Sequence, residues 1–281
     1  MTRSTVGVVI STHNSMFWLD ALRKSIAGQT RLPDAVCVVD DGSTDGTYEC
    51  LASWADELQS QGTSTSIQKA TTTAADLSSR ISQNFTQGMR TLSGVDLIAL
   101  SDHDDVWLPD RLETQSRTLD FNREVAFLAS NGLVDSGTRT LFDAFDVPQT
   151  FNEWTSVERL TYVLRTSVAT GGASMVRARM LTVNGGLCPP PGWLHDRWWS
   201  IVGASRGGLM TAKEPVIDYR VSTEQVVGLS RGRQSAQGLQ RLRAARVGDL
   251  RKLADLHALG KQAAPELKEV LSWRRLAKTV V

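Results

Sequence analysis

Three aspartates crowd the end of one apolar segment, and they are the residues of this sequence that point most directly to chemistry. Residues 97–100 are apolar, and Asp102, Asp104 and Asp105 follow within a few positions. Carboxylates this close repel one another and raise each other's pKa unless a cation lies between them. Such oxygen ligands suit Mg²⁺ or Mn²⁺, and Mg²⁺ is commonly bound together with substrate phosphates. The spacing predicts a metal–diphosphate site or, alternatively, an acidic loop that caps the next helix.

Two earlier apolar segments also run into polar loops. Residues 6–10 are followed by the polar sequence STHN at 11–14, and residues 35–39 are followed by Asp40 and Asp41. Continuous apolar runs of this length are typical of buried strands in a parallel sheet, and ligands bind beyond the carboxyl ends of such strands. We therefore expect the three polar ends to converge on one ligand site, and this convergence is better evidence than any single motif.

The elements that must position these residues alternate along the first 120 residues. Besides the three strands, the pattern predicts helices at about 17–26, 47–58, 81–92 and 112–121 and a short strand at 66–68. Such alternation is the mark of an α/β fold. Gly42 permits a tight turn after the second strand, and Ser43, Thr44 or Asp45 can cap the helix that follows.

The remainder of the chain is less regular. A strand is predicted at 126–130, a helix at 157–164, a strand at 216–220 and basic helical segments from about residue 238. Gly171 and Gly172 lie beside a strand-like segment, where a backbone without side chains can approach a ligand closely. A proline-rich loop leads into HDRWW at 195–199, which taken alone is typical of an amphipathic helix start with Asp196 as its cap.

Composition indicates a soluble globular protein with an uneven charge distribution. The 281 residues are 41% hydrophobic and 22% charged, with a net charge of +1, which argues neither for nor against nucleic acid. From residue 231 onward there are twelve Lys and Arg against four Asp and Glu, so this segment carries about +8 and the rest about −7. Such a basic tail on an acidic body suggests a segment with its own partner. Three interpretations are open: helices that pack on the domain, a homodimer contact, or a surface that binds anionic lipid.

Cysteine use and hydropathy favour a cytoplasmic protein. Cys37, Cys50 and Cys188 are widely spaced and match no zinc-binding pattern, and Cys37 is expected to be a small core residue. A reducing compartment is the simplest interpretation. The N-terminal apolar run lacks a signal-peptide cleavage site, and no run of about 18 apolar residues exists to span a membrane.

A set of motifs, taken in order, resembles one enzyme family. The motifs are STHN after the first strand, QT-x-x-P at 29–33, VVDDGSTDGT at 38–47, SQNF at 82–85 and SDHDDVWLPDRL at 101–112. Their order and spacing resemble family 2 glycosyltransferases, which have the GT-A fold. The variant SDxDDVW, with HDRWW and a later YR…VVG, is similar to the bacterial branch called rhamnosyltransferase-like. The resemblance covers about residues 6–228.

The resemblance implies an architecture and a reaction. The expected fold is α/β of the GT-A type, with a mainly parallel central sheet flanked by helices and a C-terminal helical extension. Residues 1–120 would bind the nucleotide-sugar, 121–230 would bind the acceptor and supply the base, and 231–281 would form the basic tail. The implied reaction is an inverting transfer from a dTDP- or UDP-linked sugar to a hydroxyl of a bacterial saccharide or lipid-linked saccharide. No nucleic-acid partner is expected, and the tail is a candidate contact to the inner face of the cell membrane.

The resemblance also assigns roles to single residues. Asp196 matches the catalytic base, and Asp104, with Asp102 beside it near the ribose, would hold Mg²⁺ or Mn²⁺ against the diphosphate. Asp105 would assist or cap the next helix. The remaining expected donor contacts are Thr12, His13, Asn14, Asp40, Asp41, Asn84, Gly171, Gly172, Trp193 and Arg220. His13 is also consistent with a solvent-facing loop position.

The chemistry explains why these residue types are needed. Displacement at the anomeric carbon builds oxocarbenium-like charge and releases a diphosphate, which a metal neutralises. A carboxylate on the opposite face takes the acceptor's proton. The tryptophans around Asp196 are expected to raise its pKa and to present flat faces to a sugar.

One departure from the family pattern supports a second hypothesis. Relatives commonly carry a His shortly after the YR motif, where this chain has Ser222, so Glu224 or Arg220 would have to compensate. The alternative is therefore a sugar-nucleotide-binding protein of the same fold with impaired catalysis. A nucleotidyltransferase or a dinucleotide-dependent oxidoreductase is disfavoured, because the first loop has no glycine-rich motif.

Overall fold

One mixed sheet with helices on both faces carries the predicted polar strand ends. The computed structural model describes residues 3–168, 170–221 and 249–279. In the first half lie β1 Val6–Thr12, α1 Met16–Ala27, β2 Ala35–Asp40, α2 Thr47–Ser60, β3 Ser64–Lys69, α3 Leu77–Thr91, β4 Leu97–Asp102, β5 Val106–Trp107 and α4 Arg111–Phe121. The remaining elements are β6 Phe127–Val134, α5 Leu141–Ala144, α6 Ser156–Arg165, β7 Ser174–Val176, α7 His195–Ser205, β8 Leu209–Tyr219, α8 Asp249–Leu259 and α9 Trp273–Thr279.

The order of strands shows where the sheet changes character. The described strands run β3-β2-β1-β4-β7-β6-β8-β5. β1 to β4 pair in parallel, whereas β7 lies antiparallel between β4 and β6, and β5 lies antiparallel on β8. The predicted α/β fold with flanking helices and a helical C-terminal extension is confirmed. The sheet is less parallel than predicted, because β5 and β7 are too short to leave a periodic signal in the sequence.

Alternating side chains of the strands fill two cores, one on each face. Val9 of β1 and Cys37 of β2 belong to the core beneath α3, α6 and α7, and Cys37 is fully buried as predicted. Val8 and Val36 point to the other face, where α1, α2 and α4 pack. Because both faces of β1, β2 and β4 are covered, these three strands are apolar along their interiors and become polar only at their carboxyl ends.

The C-terminal helices pack onto the body of the domain. Leu256, Leu259 and Leu276 are buried in the same core as α6 and α7. The backbone N–H of Ala264 donates to the carbonyl of Ser205 at the end of α7 at 2.9 Å. Packing on the domain, one of the three interpretations of the tail, therefore holds for residues 249–279. None of the helices that the structure describes is long and apolar enough to cross a membrane.

Gly88 tests how closely α3 must approach the sheet. A Cβ at this position would lie 2.6 Å from Cγ1 of Val9 in β1. Because the added methyl group would push α3 away from β1, we expect Gly88→Ala to lower the free energy of unfolding by about 1–3 kcal/mol. This loss should exceed the gain from the higher helix propensity of alanine. Urea unfolding measures the change. Gly94→Ala is the control, since its Cβ would meet nothing within 4 Å; an unchanged or raised stability in Gly88→Ala would contradict this packing.

Candidate active site

The strand register brings the predicted polar ends together. Thr12 of β1 pairs with Asp40 of β2, and Ser11 pairs with Asp102 of β4. These three neighbouring strands are parallel, so their carboxyl ends lie at one edge of the sheet. The loops after β1, β2 and β4 therefore lie side by side at this edge, as the sequence predicted, and their binding of one ligand stays a prediction.

Asp40 and Asp41 anchor this surface in different ways. Asp40 is 2% exposed and accepts hydrogen bonds from the hydroxyl of Thr12 at 2.9 Å and from the backbone N–H of Ser43 at 3.0 Å. Asp41 instead forms an ion pair with Arg80 of α3 at 2.7 Å. Asp40 thus fixes the shape of the loop, whereas the pair of Asp41 with Arg80 offers polar atoms at its rim.

The loop after β1 is held by the loop after β2. Asn14 has a φ of 46°, and its side-chain oxygen accepts from the N–H of Thr44 at 2.9 Å. The ring of His13 lies 2.7 Å from the carbonyl of Asp41 and is exposed. Asp45 accepts from the N–H of Met16 at the start of α1 and from that of Thr47 at the start of α2, so of the three predicted caps it is Asp45 that binds the helix.

The acidic segment after β4 carries buried negative charge without full compensation. Asp102 is half-buried, and among the described residues its carboxylate accepts one hydrogen bond, from the N–H of Gly172 at 3.1 Å. Asp105 is 0% exposed, and neither carboxylate oxygen has a hydrogen-bond partner among the described residues. Burial, together with the negative charge of Asp104, raises the pKa of Asp102 from 3.8 to about 7. The same causes raise the pKa of Asp105 well above its ordinary value.

The helix-cap alternative for these carboxylates is wrong. The N-cap position of α4 is Asp110, and β5 separates it from the acidic segment. The predicted helix at 112–121 begins at Arg111, two residues after Pro109. The carboxylates of the acidic segment are therefore free of any capping role, and their presence requires another explanation.

Two arginines contact the strand and loop that carry the acidic residues. Arg111 is fully buried, lies over the ring of Trp107 at 3.9 Å and donates to the carbonyl of Leu100 at 2.7 Å. Burial lowers its pKa to about 9, while the negative charges of Asp105 and Asp102 act against this fall. It therefore stays positive at neutral pH and offsets part of the buried negative charge.

Arg220 binds the backbone of the same segment. Its guanidinium donates to the carbonyls of Asp104 and Asp105 and lies over the ring of Trp18, 4.7 Å from the ring centroid. Arg220, which the sequence predicted to contact the sugar donor, thus lies directly beside the acidic segment. Its hydrogen bonds hold the main chain at Asp104 in place.

The predicted base lies on the opposite wall of the site. Asp196 is the second residue of α7, and the N-cap position is Leu194, so Asp196 does not cap this helix in the expected way. One of its carboxylate oxygens accepts from the N–H of Gly171 at 3.2 Å. Because Gly172 donates to Asp102, two consecutive amides connect the candidate base to the candidate metal-side carboxylate.

Both glycines are needed at these positions because the backbone passes close to other side chains. A Cβ on Gly172 would overlap a carboxylate oxygen of Asp105, and a Cβ on Gly171 would overlap Nε2 of His195. The sequence predicted a close backbone approach here, but to a ligand. The structure shows that the close neighbours are side chains of the site itself.

The tryptophans before and after Asp196 pack into the core. Trp193, Trp198 and Trp199 are 6%, 3% and 0% exposed. The indole N–H of Trp193 donates to Asp255 at 2.9 Å, and Lys252 lies 5.0 Å from its ring centroid. The C-terminal helix α8 therefore covers Trp193, and in this arrangement the three rings do not offer open faces to a sugar; the role of Trp193 toward the donor stays a prediction.

Asn84 is a further buried group with unused hydrogen-bonding capacity. It lies on α3, is 1% exposed, and neither its amide nitrogen nor its oxygen has a partner among the described residues. Buried polar groups are usually paired, so Asn84 is an exception to that rule, and its contact with the sugar donor stays a prediction.

The carboxylates of this site suit a divalent cation only if a bound phosphate supplies further metal ligands. Within residues 3–168, 170–221 and 249–279, no group of three or more His, Cys, Asp and Glu is placed to hold a metal ion. Mg²⁺ needs no such cage where one or two carboxylates are joined by substrate phosphates and water. Asp102 and Asp104 are the carboxylates that could hold such a cation, and the buried oxygens of Asp105, which have no hydrogen-bond partner among the described residues, would also be stabilised by positive charge.

Sequence reasoning missed Arg111, Arg80 and His195 as parts of the site. Arg111 follows a Pro-Asp pair at a helix start, where a charged residue is ordinarily solvent-exposed, so nothing in the local sequence indicates its burial. Arg80 and His195 reach the site only because α3 packs across the strand ends and against α7. The motif HDRWW offered one signal, since its His immediately precedes the predicted base.

The buried carboxylates predict an unusual dependence of stability on pH. Their pKa values are higher in the folded protein, so they stabilise the fold while protonated, and this contribution is lost as pH rises through about 7. Burial lowers the pKa of His195 from 6.5 to about 4, and its contribution is complete above pH 6.5. The carboxylate contribution is therefore lost between about pH 4 and about pH 7, and below pH 6.5 His195 acts in the opposite direction. We therefore compare, in EDTA, the melting temperatures of the wild-type protein and of a variant that lacks one of the carboxylates but keeps His195.

The melting temperature of Asp105→Asn relative to the wild-type protein should rise as pH rises from about 4 to about 7, because the variant removes one buried charge. Asp56→Asn on the exposed face of α2 is the control and should show no such pH-dependent difference. A difference between Asp105→Asn and the wild-type protein that stays constant across this range would contradict the assignment of a buried, uncompensated carboxylate.

Comparison with known proteins gives the family. The sequence model of glycosyl transferase family 2 matches residues 7–182, whereas a search of curated protein sequences found no significant match. The solved structure of S. aureus TarS 1–349 has a TM-score of 0.58 at 14% identity, covering 98% of this chain and 89% of that one. The same protein in complex with UDP-GlcNAc gives a TM-score of 0.62 at 16% identity, covering 97% and 71%.

A third solved structure has the same fold. The mannosyltransferase PcManGT from Pyrobaculum calidifontis, in complex with GDP-Man and Mn²⁺, gives a TM-score of 0.54 at 15% identity, covering 98% of this chain and 70% of that one. At such low identity these likenesses establish the GT-A fold alone. The family match spans more than half of the chain, and this chain therefore belongs to glycosyl transferase family 2 and is a glycosyltransferase.

Proposed function

We propose that this glycosyltransferase moves a sugar, with inversion, from a UDP- or dTDP-linked donor to a hydroxyl of a bacterial cell-surface saccharide or lipid-linked saccharide. The observation that carries the proposal is the pair of amides of Gly171 and Gly172, which connect Asp196 with Asp102. A base on one side and a metal–diphosphate site on the other is the arrangement that displacement at an anomeric carbon requires. The relatives solved with UDP-GlcNAc and with GDP-Man and Mn²⁺ support the donor class and the metal.

The donor half is formed by the strand ends. The loops that carry Thr12, His13, Asn14 and Asp41 would bind the base and ribose, with Asp40 holding their shape. Asp102 and Asp104 would hold Mg²⁺ or Mn²⁺, which when bound neutralises the departing diphosphate. The guanidinium of Arg220 keeps the main chain at Asp104 in place during departure.

The acceptor half depends on Asp196. A carboxylate oxygen of Asp196 takes the proton of the acceptor hydroxyl as that oxygen forms its bond to the anomeric carbon. The bond from the anomeric carbon to the diphosphate oxygen breaks on the opposite face, and both of its electrons leave with the diphosphate. Attack from the face opposite the leaving group gives inversion.

We assign the chain to the rhamnosyltransferase-like branch on its SDHDDVW and HDRWW motifs. The position where relatives carry a His, here Ser222, lies outside the described residues, as does Glu224. Arg220 is the neighbouring residue that contacts the acidic segment, and it is the group we propose to compensate.

Single substitutions separate binding from catalysis. We expect Asp196→Asn to lower kcat by at least ~10²-fold, since a positioned base contributes about that much, while binding of UDP with Mn²⁺ stays the same. Asp104→Asn should instead abolish the effect of Mn²⁺ on UDP binding. Release of nucleotide from a panel of UDP- and dTDP-sugars, and calorimetry with UDP and dTDP, measure the two effects.

Asp110→Asn is the matched control, because Asp110 lies in the same acidic stretch but at the exposed start of α4. It should leave both kcat and UDP binding unchanged. Full turnover in Asp196→Asn would contradict the proposal. Donor binding without turnover in the wild-type protein, across the panel and with acceptors present, would favour the catalytically impaired alternative.

We also propose that α9 contacts an anionic membrane surface at the cytoplasmic face, where a lipid-linked acceptor would be met. Trp273 is 46% exposed, and Lys268, Arg274, Arg275 and Lys278 are exposed near it. An exposed indole beside several cations is typical of an interfacial helix. A homodimer contact through the same tail stays a prediction.

Charge reversal tests the membrane contact better than truncation. Removing residues after Ser230 would expose the core that Leu259 and Leu276 fill. We expect Arg274→Glu combined with Lys278→Glu to abolish co-flotation with vesicles that contain phosphatidylglycerol, at unchanged melting temperature. Arg90→Glu combined with Lys213→Glu, which reverses two exposed cations outside the C-terminal helices, is the control. Equal flotation of all three proteins would remove the lipid interpretation.

A further inference from the structure

His195 is buried between the two halves of the site. It begins α7, directly precedes Asp196 and is 4% exposed. Its ring stacks on Phe85 of α3, with centroids 4.0 Å apart and an interplanar angle of 23°. The ring of Trp199 meets it edge-on at 5.4 Å. The imidazole therefore has one fixed orientation, set by aromatic neighbours on two elements.

The imidazole makes no hydrogen bond with the described residues. Neither Nδ1 nor Nε2 has a partner there, although buried polar groups in proteins are usually paired. Burial lowers the pKa of His195 to about 4, so the ring is neutral at physiological pH and places no cation beside Asp196.

The edge of the ring abuts the turn that holds the two carboxylates. Nε2 lies so close to Gly171 that a Cβ on this residue would overlap it. The N–H of Gly171 donates to Asp196, and the next N–H, that of Gly172, donates to Asp102. Movement of the ring would therefore shift both amides, and with them the two carboxylates.

We propose that His195 is a positioning residue for transfer: its imidazole, held against Phe85, sets the Gly171–Gly172 turn and thereby the separation between the base Asp196 and the donor-side carboxylate Asp102. The catalytic part of this inference rests on the proposed role of Asp196. Its structural part, that the ring sets the turn, does not depend on that role.

Loss of the ring should act on turnover more than on donor binding. We expect His195→Ala to lower kcat by roughly 10- to 100-fold, because a displacement of about 1 Å at a reacting group costs this much, with little change in the donor KM. A residue that only fills the core would lower the melting temperature and leave the kcat of the folded protein unchanged.

A double-mutant cycle isolates the contact between the ring and the turn. Gly171→Ala should lower kcat in the wild-type protein, where the methyl overlaps His195, but should cost nothing further in the His195→Ala protein, where the space is free. Gly172→Ala is the matched control, because its methyl overlaps Asp105 instead. It should lower kcat by the same factor in both proteins. Equal costs of Gly171→Ala in both proteins would overturn the proposal.

Amide hydrogen exchange gives a readout that needs no substrate. In the wild-type protein the amides of Gly171 and Gly172 should be protected, and His195→Ala should speed the exchange of both while that of Gly88 in α3 is unchanged. Unchanged exchange at both glycines would overturn the proposal even if turnover falls. If the protein neither binds nor turns over a nucleotide-sugar, the proposed function fails, and the exchange experiment still decides whether His195 sets the turn.

Discussion

Two neighbouring backbone N–H groups hold this site together. Gly171 donates to Asp196, Gly172 donates to Asp102, and the turn between them is the only direct hydrogen-bonded connection that the described residues show between the two carboxylates. Asp102 belongs to a strand end of the first half, whereas Asp196 belongs to α7 of the second half. Their separation therefore depends on a single short turn. This explains why both positions are glycine, since a Cβ on Gly171 would overlap His195 and a Cβ on Gly172 would overlap Asp105.

The second constraint is buried negative charge. Asp102 and Asp105 lie in a place where burial raises the pKa of both, and Arg111 beneath them offsets only part of the charge. A protein that used these residues only for stability would gain more from apolar side chains. Their presence in a buried setting fits the proposal that a cation completes the site.

The sequence predicted the scaffold of the site better than its interior. The strands that end at Thr12, Asp40 and Asp102 were visible because buried parallel strands are apolar along their whole length and then stop at polar residues. The burial of Arg111 and the stacking of His195 on Phe85 were not visible, because they arise from contacts between α4 and the sheet and between α7 and α3. Such contacts between distant segments leave no period in the sequence.

The tryptophans show the limit of reasoning from residue type. Aromatic residues beside a predicted base suggested open platforms for a sugar, but the apolar side of α7 and the C-terminal helices bury them, and α8 covers Trp193. Residue type alone does not distinguish a binding face from a packing face. That distinction depended on residues 249–279, whose helices could be predicted but whose docking position could not.

Electron paramagnetic resonance of Mn²⁺ tests the central claim most directly, namely that the acidic end of β4 is a metal site completed by a nucleotide diphosphate. We predict that the protein alone leaves the signal of free Mn²⁺ nearly unchanged, and that addition of UDP or dTDP removes it beyond what the nucleotide does by itself. Loss of the signal with protein alone would show a complete protein-only site. No additional loss with either nucleotide would contradict the account.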